Sequence, residues 1–354
     1  MKKITYVFAT FMLLFVSCNN EDIIETAPAS QVNPNASGMS DSFKDFMWDG
    51  IYEIRDGKEV DLTDSQLLTR GNVQTFYEIS TIQPNYIYLG SVLTAESINK
   101  GVYAPVGFAN DLKKNITISF SLPIKSKEVA PKKSAFTNAI IDAIGDRDFS
   151  GKQSQVFSYK MKEFSYYREV KLAFAANVNI GQIFSINTEV NSNKIHRQSG
   201  LFVDFSQIYF NVAMDIPDDG NIFSDENTRQ KYLGKNPVYV NSVNYGRKGI
   251  ILVESNETYS VLSVAIRAAF NAKIVSGSLS IDAKTEEILK QAEISICIIG
   301  GDGQAATQTV KGFDEFQKFI INGGVYSKEI YGVPISFSAG YASDNSMFVT
   351  EFEI

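Results

Sequence analysis

The stretch "VKLAFAANVNIGQIFSINTEV", residues 170–190, keeps a period of two over most of its length. Val170, Leu172, Phe174, Ala176, Val178, Ile180, Phe184, Ile186 and Val190 are apolar at even positions. Lys171, Asn177, Asn179, Gly181, Ser185, Asn187 and Glu189 lie between them, with Gln182, Ile183 and Thr188 out of phase. Three structures accommodate this pattern. Neighbouring strand residues point to opposite faces, so the first is an ordinary half-buried hairpin. The second is helix, since "VKLAFAANV" is alanine-rich and Val170, Phe174 and Val178 fall at i, i+4 and i+8. The third is a pair of membrane-crossing strands, each about nine to eleven residues long, apolar toward lipid and polar toward a lumen. The stretch is long enough for two such strands with a turn near Gly181.

A second block, "VLSVAIRAAFNAKIVSGSLSIDAK" at 261–284, behaves the same way. Leu262, Val264, Ile266, Ala268, Phe270, Ala272 and Ile274 alternate with Ser263, Arg267, Asn271 and Lys273. The phase then flips, and Val275, Leu279, Ile281 and Ala283 become the apolar set. A slip of one residue at 274/275 reads as a turn that opens a second strand. A segment acceptable both as helix and as strand suits a chain that refolds on entering a bilayer.

The surroundings are those of an exported chain. "MKKITYVFATFMLLFVSC" places lysines, an apolar run and a small residue ahead of Cys18, which reads as a signal peptide too short for a spanning helix. The Ser17-Cys18 ending resembles a bacterial lipoprotein signal, which implies lipidation of Cys18 and an outer-membrane, cell-surface or secreted location. Residues 19–40 are polar, aperiodic and rich in Pro, Ala, Ser and Asn, as in a flexible tether. The remaining cysteine, Cys297, lies in "AEISICII" and reads as a small core residue.

Composition bounds the rest. The 354 residues, 44% hydrophobic and 21% charged, suffice for two or three domains, and 25 Phe with 17 Tyr lean toward strands. A net charge of −7 without a basic stripe argues against nucleic acid, whose binding rests on Lys/Arg–phosphate contacts. Strand is expected at 114–123, with Ile116, Ile118, Phe120 and Leu122 alternating up to Pro123. Helices are expected at 134–146, on Phe136, Ile140, Ile141 and Ile144, at 286–293 and at 312–323.

Catalysis has little to work with. The single histidine, His196, has no Cys or His at ligand spacing. "GGDGQAAT" at 300–307 lacks a P-loop Lys-Ser/Thr, and the Asp215, Asp218, Asp219 and Asp225 cluster misses the calcium-loop pattern. No enzyme and no cofactor are expected.

Several ordered motifs resemble the cholesterol-dependent, or thiol-activated, cytolysins. They are "YLGSVL" (88–93), "NITISFSLP", "FSQIYFNVAMDIP" (205–217), "NPVYVNSVNYGRKGIIL" (236–252), "ISICIIGGDGQ" (294–304), "KGFDEFQKFI" (311–320) and "YGVPISFSAGYASDN" (331–345). The resemblance implies an α+β, elongated MACPF/cytolysin-like fold: a twisted antiparallel sheet flanked by two helical clusters that refold to transmembrane β-hairpins. It implies signal 1–18, tether 19–40, domains 1 and 2 from 41–154, 208–246 and 325–354, and a pore-forming domain from 155–207 and 247–324. Gly300 and Gly301 match hinge glycines that let a short strand swing off a fourth core strand at about 292–299, whose freed edge pairs with a neighbour's first strand near 155–164. Valine at both would then block assembly while leaving a monomer. Tyr245, Gly246 and Arg247 match a family motif at the start of the strand leading into the second block. Lys311 matches the lysine of an electrostatic switch, with Glu163 as the first-strand acid, and Ile294 replaces an aromatic that stacks between subunits. In the pore, Leu172, Phe174, Ala176, Val178, Phe184, Ile186, Leu262, Val264, Ile266 and Phe270 would face lipid, and Asn177, Asn179, Ser185, Asn187, Ser263, Arg267 and Asn271 the lumen. Before insertion, 172–187 would follow a helical period of 3.6.

The chain stops at "MFVTEFEI" with Trp48 as its one tryptophan, without the Trp-rich segment by which cytolysins recognise cholesterol. The resemblance is then to the short component of two-component relatives. The implied partners are a target membrane, a longer cytolysin-like protein and further copies in a ring. The alternative is a surface lipoprotein that keeps the fold for adhesion without forming pores. Replacing Cys18 with Ser should abolish lipid attachment and release the protein from the membrane fraction. Unchanged fractionation, with no lipid mass on the parent, would refute lipidation.

Overall fold

The computed structural model of the chain describes residues 48–55, 58–64, 79–107, 111–113, 115–146, 156–186, 194–276, 281–300, 307–321, 328 and 330–352. The chain divides into two compact units at Ser37/Gly38, and every described residue belongs to the second. Cys18 and the 19–40 tether lie outside the described residues.

A long antiparallel pair organises the sheet. β8 (Ser199–Met214) and β9 (Pro237–Ser255) run side by side from Ser199↔Ser255 to Ala213↔Ser242, and nearly every residue of both is buried. Runs of Val, Ile, Phe and Tyr without strict alternation are what strands covered on both faces require. β7 (Val156–Phe164) pairs with β8, and β10 (Glu293–Ile299) pairs with the second half of β9. β12 (Val333–Tyr341) takes the first half of β9. Further out, β11 (Thr307–Lys311) lies on β10, and the hairpin of β1 (Gly50–Arg55) and β2 (Lys58–Asp61) lies on β7. The principal path reads β11-β10-β9-β8-β7-β1-β2. β4 (Val92–Thr94) also pairs with β9, β3 (Ile79–Ser80) with β12, and the arm of β5 (Ile116–Phe120) and β6 (Lys127–Val129) joins β8.

The helices fill three cores. α1 (Ala95–Asn99) starts on Thr94, whose side chain accepts from the Ser97 amide. α2 (Lys133–Gly145) buries Phe136, Ile140 and Ile144 against the β9–β12 half of the sheet. Ile141, expected on that face, points away and is 54% exposed, since it sits about 100° round the helix from Ile140. α4 (Glu226–Leu233) is capped by Asp225, and Asp219 pairs with Lys113 at 2.5 Å, so the acidic cluster is spent on a cap and a surface ion pair.

Both alternating blocks are helical in this state, and they lie on opposite faces of the sheet. The first follows β7 as a 3-10 run, Tyr167–Ala173, then α3 (Ile180–Phe184), capped by Asn179 and ended by Ser185 at φ 52°. It packs Val170, Leu172, Phe174, Ala176, Val178 and Phe184 onto Phe202, Ile250, Leu252 and Cys297. Its burial does not follow the expected 3.6 period. Residues 172–176 are all buried, and 176–180 then alternate, because an extended connection separates the two short helical pieces.

The second block forms α5 (Tyr259–Ser276) on the other face. Leu262, Ala265, Ile266, Ala269 and Phe270 face the sheet at true helical spacing. Val264, second in the apolar set of the strand pattern, is 60% exposed. The expected turn at 274/275 is absent in this state, since the helix runs on to Ser276. α6 (Ala283–Gln291) starts three residues before the expected bound because Asp282 caps it through the Thr285 amide, and Glu293 already belongs to β10. α7 (Phe313–Ile321) completes this layer with Phe316, Phe319 and Ile320.

An aromatic ladder ties the layers together: Tyr52 stacks on Tyr159 at 5.0 Å, Tyr159 on Phe270 at 4.8 Å, and Phe270 on Phe205 at 5.2 Å. Replacing Phe270 with Ala should cost about 3–5 kcal/mol. Val264→Ala, on the open side of the same helix, should change stability by under about 0.5 kcal/mol. Urea unfolding midpoints of the two variants check this, and equal midpoints would contradict the orientation of α5.

Candidate functional site

Chemistry enters this sheet through backbone edges and through what covers them. The outer edge of β9 serves two strands in succession: β12 up to Gly246, β10 from Lys248 onward. Tyr245, Gly246 and Arg247 sit at that handover, in the middle of β9 rather than at the start of a strand. A β-bulge in β8 between Ile208 and Phe210 faces the same point.

Three glycines make the handover possible. A Cβ on Gly246 would lie 2.0 Å from the Gln207 carbonyl oxygen. Gly300, at φ 72°, ends β10 with its α-carbon face 2.8 Å from the Gly246 carbonyl oxygen, measured to the Cβ it lacks. Gly332, at φ 81°, opens β12 with the corresponding point 2.6 Å from the same oxygen. A valine at Gly300 would therefore strain the fold itself, contrary to the expectation of an intact monomer. Gly301 lies outside the described residues. The flanking motif residues share one face of β9 but serve different cores. Tyr245 stacks on Phe210 at 5.0 Å, and burial raises its hydroxyl pKa. Arg247 donates to the Phe319 carbonyl at 2.6 Å and lies 4.4 Å over the Phe319 ring, holding α7. Gly249 leaves room for that ring.

Each core edge carries a cover. On β10 the cover is β11, five residues in register from Ile299↔Thr307 to Ser295↔Lys311. Its side chains reach the first block: Thr309 Oγ1 donates to the Ile183 carbonyl at 2.6 Å and Lys311 Nζ to the Ser185 carbonyl at 3.2 Å. On β7 the cover is the β1–β2 hairpin, in register from Gly50↔Met161 to Ile54↔Phe157. Its Glu59 carboxylate accepts from Tyr159 Oη, from Arg267 Nη2 and, at 2.9 Å, from Asn271 Nδ2. Arg267 and Asn271 belong to the second block, and the Arg267 guanidinium lies 4.3 Å from the Tyr52 ring centroid. Burial, then the hydrogen bond to Glu59, raises the Tyr159 pKa.

Lys311 and Glu163 are not brought together. Lys311 lies in the row of Lys162, one residue off that of Glu163, and three strands separate β11 from β7, about 19 Å at ordinary strand spacing. Asn177, Asn179 and Ser185 are exposed, Ser263, Arg267 and Asn271 are half-buried, and Asn187 lies outside the described residues. Cys297 is fully buried beneath the first block, which pushes its thiol pKa up to about 12. Ile294 is buried in the second-block core. His196 uses its amide, not its ring, to bond the Glu254 carboxylate at 2.8 Å. Among the described residues no cluster of three or more His, Cys, Asp or Glu is placed to hold a metal, and no helix is long and apolar enough to cross a membrane.

Glu59 and Gly332 had no place in the sequence reading. The Asp56-Gly57 dipeptide between "IYEIR" and "KEVDL" is a hairpin signal that would have found the first. Nothing local marks the second, since its neighbours lie far away in the chain.

Residues 109–351 match the family model of the thiol-activated cytolysins. Tetanolysin of Clostridium tetani is 27% identical over 253 residues, 66% of this chain and 47% of that protein. Seeligeriolysin of Listeria seeligeri is 25% identical over 257 residues, 67% and 47% respectively. The chain thus spans about half the length of the curated relatives it matches. The crystal structure of suilysin from Streptococcus suis superposes with a TM-score of 0.62 at 23% identity, over 78% of this chain and 62% of that one. Wild-type pneumolysin gives 0.62 at 21%, over 78% and 61%. At these identities the two structures speak for a shared fold.

The glycine handover has a direct check. Gly246→Ala should yield no folded protein by circular dichroism, because the new methyl overlaps backbone. Gly145→Ala, at the end of α2 with nothing within 4 Å, should fold normally. A folded Gly246→Ala variant of wild-type stability would contradict the packing of the three glycines.

Proposed function

This chain belongs to the thiol-activated cytolysin family, and on that footing we propose that it is a pore-forming subunit. It assembles edge to edge with chains of its own fold and converts its two helical blocks into membrane-spanning β-hairpins. A closed barrel is required, because only closure satisfies every strand-edge group in lipid.

The observation that carries this proposal is a match of parity. The first block joins β7 to β8, and the second joins β9 to β10, so each lies between two strands already paired. Partners across an antiparallel pair share a face. β7 and β8 pair residues of like parity, Phe164 with Gly200, so a hairpin extending them keeps one phase throughout. Block one does so, apolar at even numbers from Val170 to Val190 apart from Gln182 at its expected turn and Thr188. β9 and β10 pair residues of unlike parity, Val253 with Ile294, so a hairpin extending them flips phase at its turn. Block two flips between Ile274 and Val275. The apolar sets of both hairpins continue the face that carries Phe202, Ile250, Leu252 and Cys297, which becomes the lipid side lower down.

The finer parts of the proposal rest on the resemblance and on these edges. A freed β10 accepts a first strand from any chain of this fold, so a longer cytolysin-like partner that reaches the membrane first can recruit this one. Lys311, now on a carbonyl of its own chain, and Glu163, on the strand that faces a neighbour, form the electrostatic pair between subunits rather than within one. Gly300 and Gly301 supply the pivot for β11. Lipidation at Cys18 holds the exported chain at a surface before assembly.

Block two gives the sharpest test, because its two states differ most. With Cys297 replaced, an environment-sensitive dye at position 264 starts exposed and should move into lipid, shifting its emission to the blue. At position 265 the dye starts buried and should move to the water-filled lumen, shifting to the red. The measurement uses liposomes with a longer family member present, and leakage is followed in parallel. Leakage without these opposite shifts, or no leakage under any of these conditions, would sink the proposal.

A further inference from the structure

Each sheet edge that assembly needs is covered, and each cover is bonded to one convertible block. β11 covers β10 and holds the first block through Thr309 on the Ile183 carbonyl and Lys311 on the Ser185 carbonyl. The β1–β2 hairpin covers β7 and holds the second block through Glu59 on Arg267 and Asn271. The hydrogen bonds to the blocks do not cross over: Thr309 and Lys311 of β11 reach α3 and its cap, Thr307 reaches the Ile82 carbonyl outside both blocks, and Glu59 accepts from β7 and α5.

We propose that the two covers are latches, so that displacing β11 untethers the first block and displacing the β1–β2 hairpin untethers the second. This rests on the pore-forming proposal and adds the coupling between pairing and unfolding. A strand arriving at either edge must replace a cover, because each backbone edge pairs one strand at a time. When the hairpin leaves β7, Glu59 leaves with it. Arg267 then loses both its carboxylate and the Tyr52 ring, which departs on β1, and the half-buried guanidinium, its Nε already without a hydrogen bond, is left on α5 with neither. Loss of the ion pair and of the Asn271 bond removes the polar contacts that hold α5 to the hairpin, which favours departure of α5 from the sheet. When β11 leaves β10, the end of α3 loses two donors from one strand. That end also stands on a left-handed residue, Ser185 at φ 52°, whose backbone strain is relieved on extension. The design makes unfolding conditional. A free subunit with both edges covered keeps both blocks packed, and only a subunit that has gained a neighbour loses a restraint.

Hydrogen–deuterium exchange on the protein in solution tests the latches without a membrane. Thr309→Val should speed exchange in residues 167–186 by about tenfold, the loss of one hydrogen bond, and leave 259–276 unchanged. Glu59→Gln should do the reverse, speeding exchange at 50–61 and 259–276 by about tenfold or more. Circular dichroism and melting confirm that both variants are folded. A disulfide between Glu53→Cys and Ser158→Cys, partners in the register, staples the hairpin to β7 with Glu59 intact. Oxidation should slow exchange at 259–276 as well as at 50–61, and reduction should restore it. Exchange at 259–276 that ignores the staple overturns the second latch, and a Thr309→Val effect on both blocks or on neither overturns the first. Leakage from phosphatidylcholine–cholesterol vesicles with a longer family member present separates the two proposals. If latches hold by exchange and vesicles stay intact with stapled and reduced protein alike, the pore fails and the latches stand.

Discussion

The handover on the edge of β9 is the constraint on which the molecule depends. One strand cannot pair β12 and β10 on the same side at once: both let go at Arg247, and the crowded point just before it is Gly246, the last partner of β12. A β-carbon there has nowhere to go, and neither does one at Gly300 or Gly332. The sheet is thereby divided into an upper half, buttressed by α2 and the β4 and β12 pairings, and a lower half of four strands, β7 to β10, with one alternating block packed on each face. Tyr245 and Arg247 anchor the two halves separately, one in each core. The family motif is a structural joint, and its chemistry is van der Waals exclusion rather than reactivity.

Much of this was legible in the sequence, for a physical reason. β8, β9 and β10 are long, buried and locally consistent, so their residues announce strand on their own. Helices α2, α6 and α7 carry apolar spacing, and α6 an Asp282 cap, signals that act over a few residues. What could not be read is what depends on distant partners. Ile141 looks like core until the helix is docked, Val264 looks like half of a strand until α5 is seen as helix, and Gly332 looks like any loop glycine until Gly246 lies against it. The candidate site divides along the same line. Lys311 and Glu163 were found as residues, but their separation by three strands, and the present bond of Lys311 to Ser185, are facts of topology. Glu59 was missed because one carboxylate in a charged hairpin carries no sign that three donors from two other elements will converge on it.

The two blocks also illustrate why a helix period and a strand period can coexist in one segment. In α5 the buried set is Leu262, Ala265, Ile266, Ala269 and Phe270, and the strand set is the even positions. The sets share Leu262, Ile266 and Phe270, the large residues, so both conformations bury the same bulk. They differ in small or single residues, Ala265, Ala269 and Val264, where exposure costs little. Alanine favours helix and tolerates strand, which keeps the gap between states narrow. The first block solves the same problem differently: it keeps short helical pieces joined by extended chain, so part of its strand pattern is in place from the start.

Cys297 has a consequence of another kind. Its thiol is buried in the same core as Phe174 and Phe184, and its raised pKa keeps it protonated at neutral pH, so alkylating reagents meet neither a thiolate nor an open path. Only removal of the first block from the sheet uncovers it. The wild-type chain therefore carries its own clock: the rate at which this one thiol becomes labelled measures how often the layer above it lifts, with no residue changed.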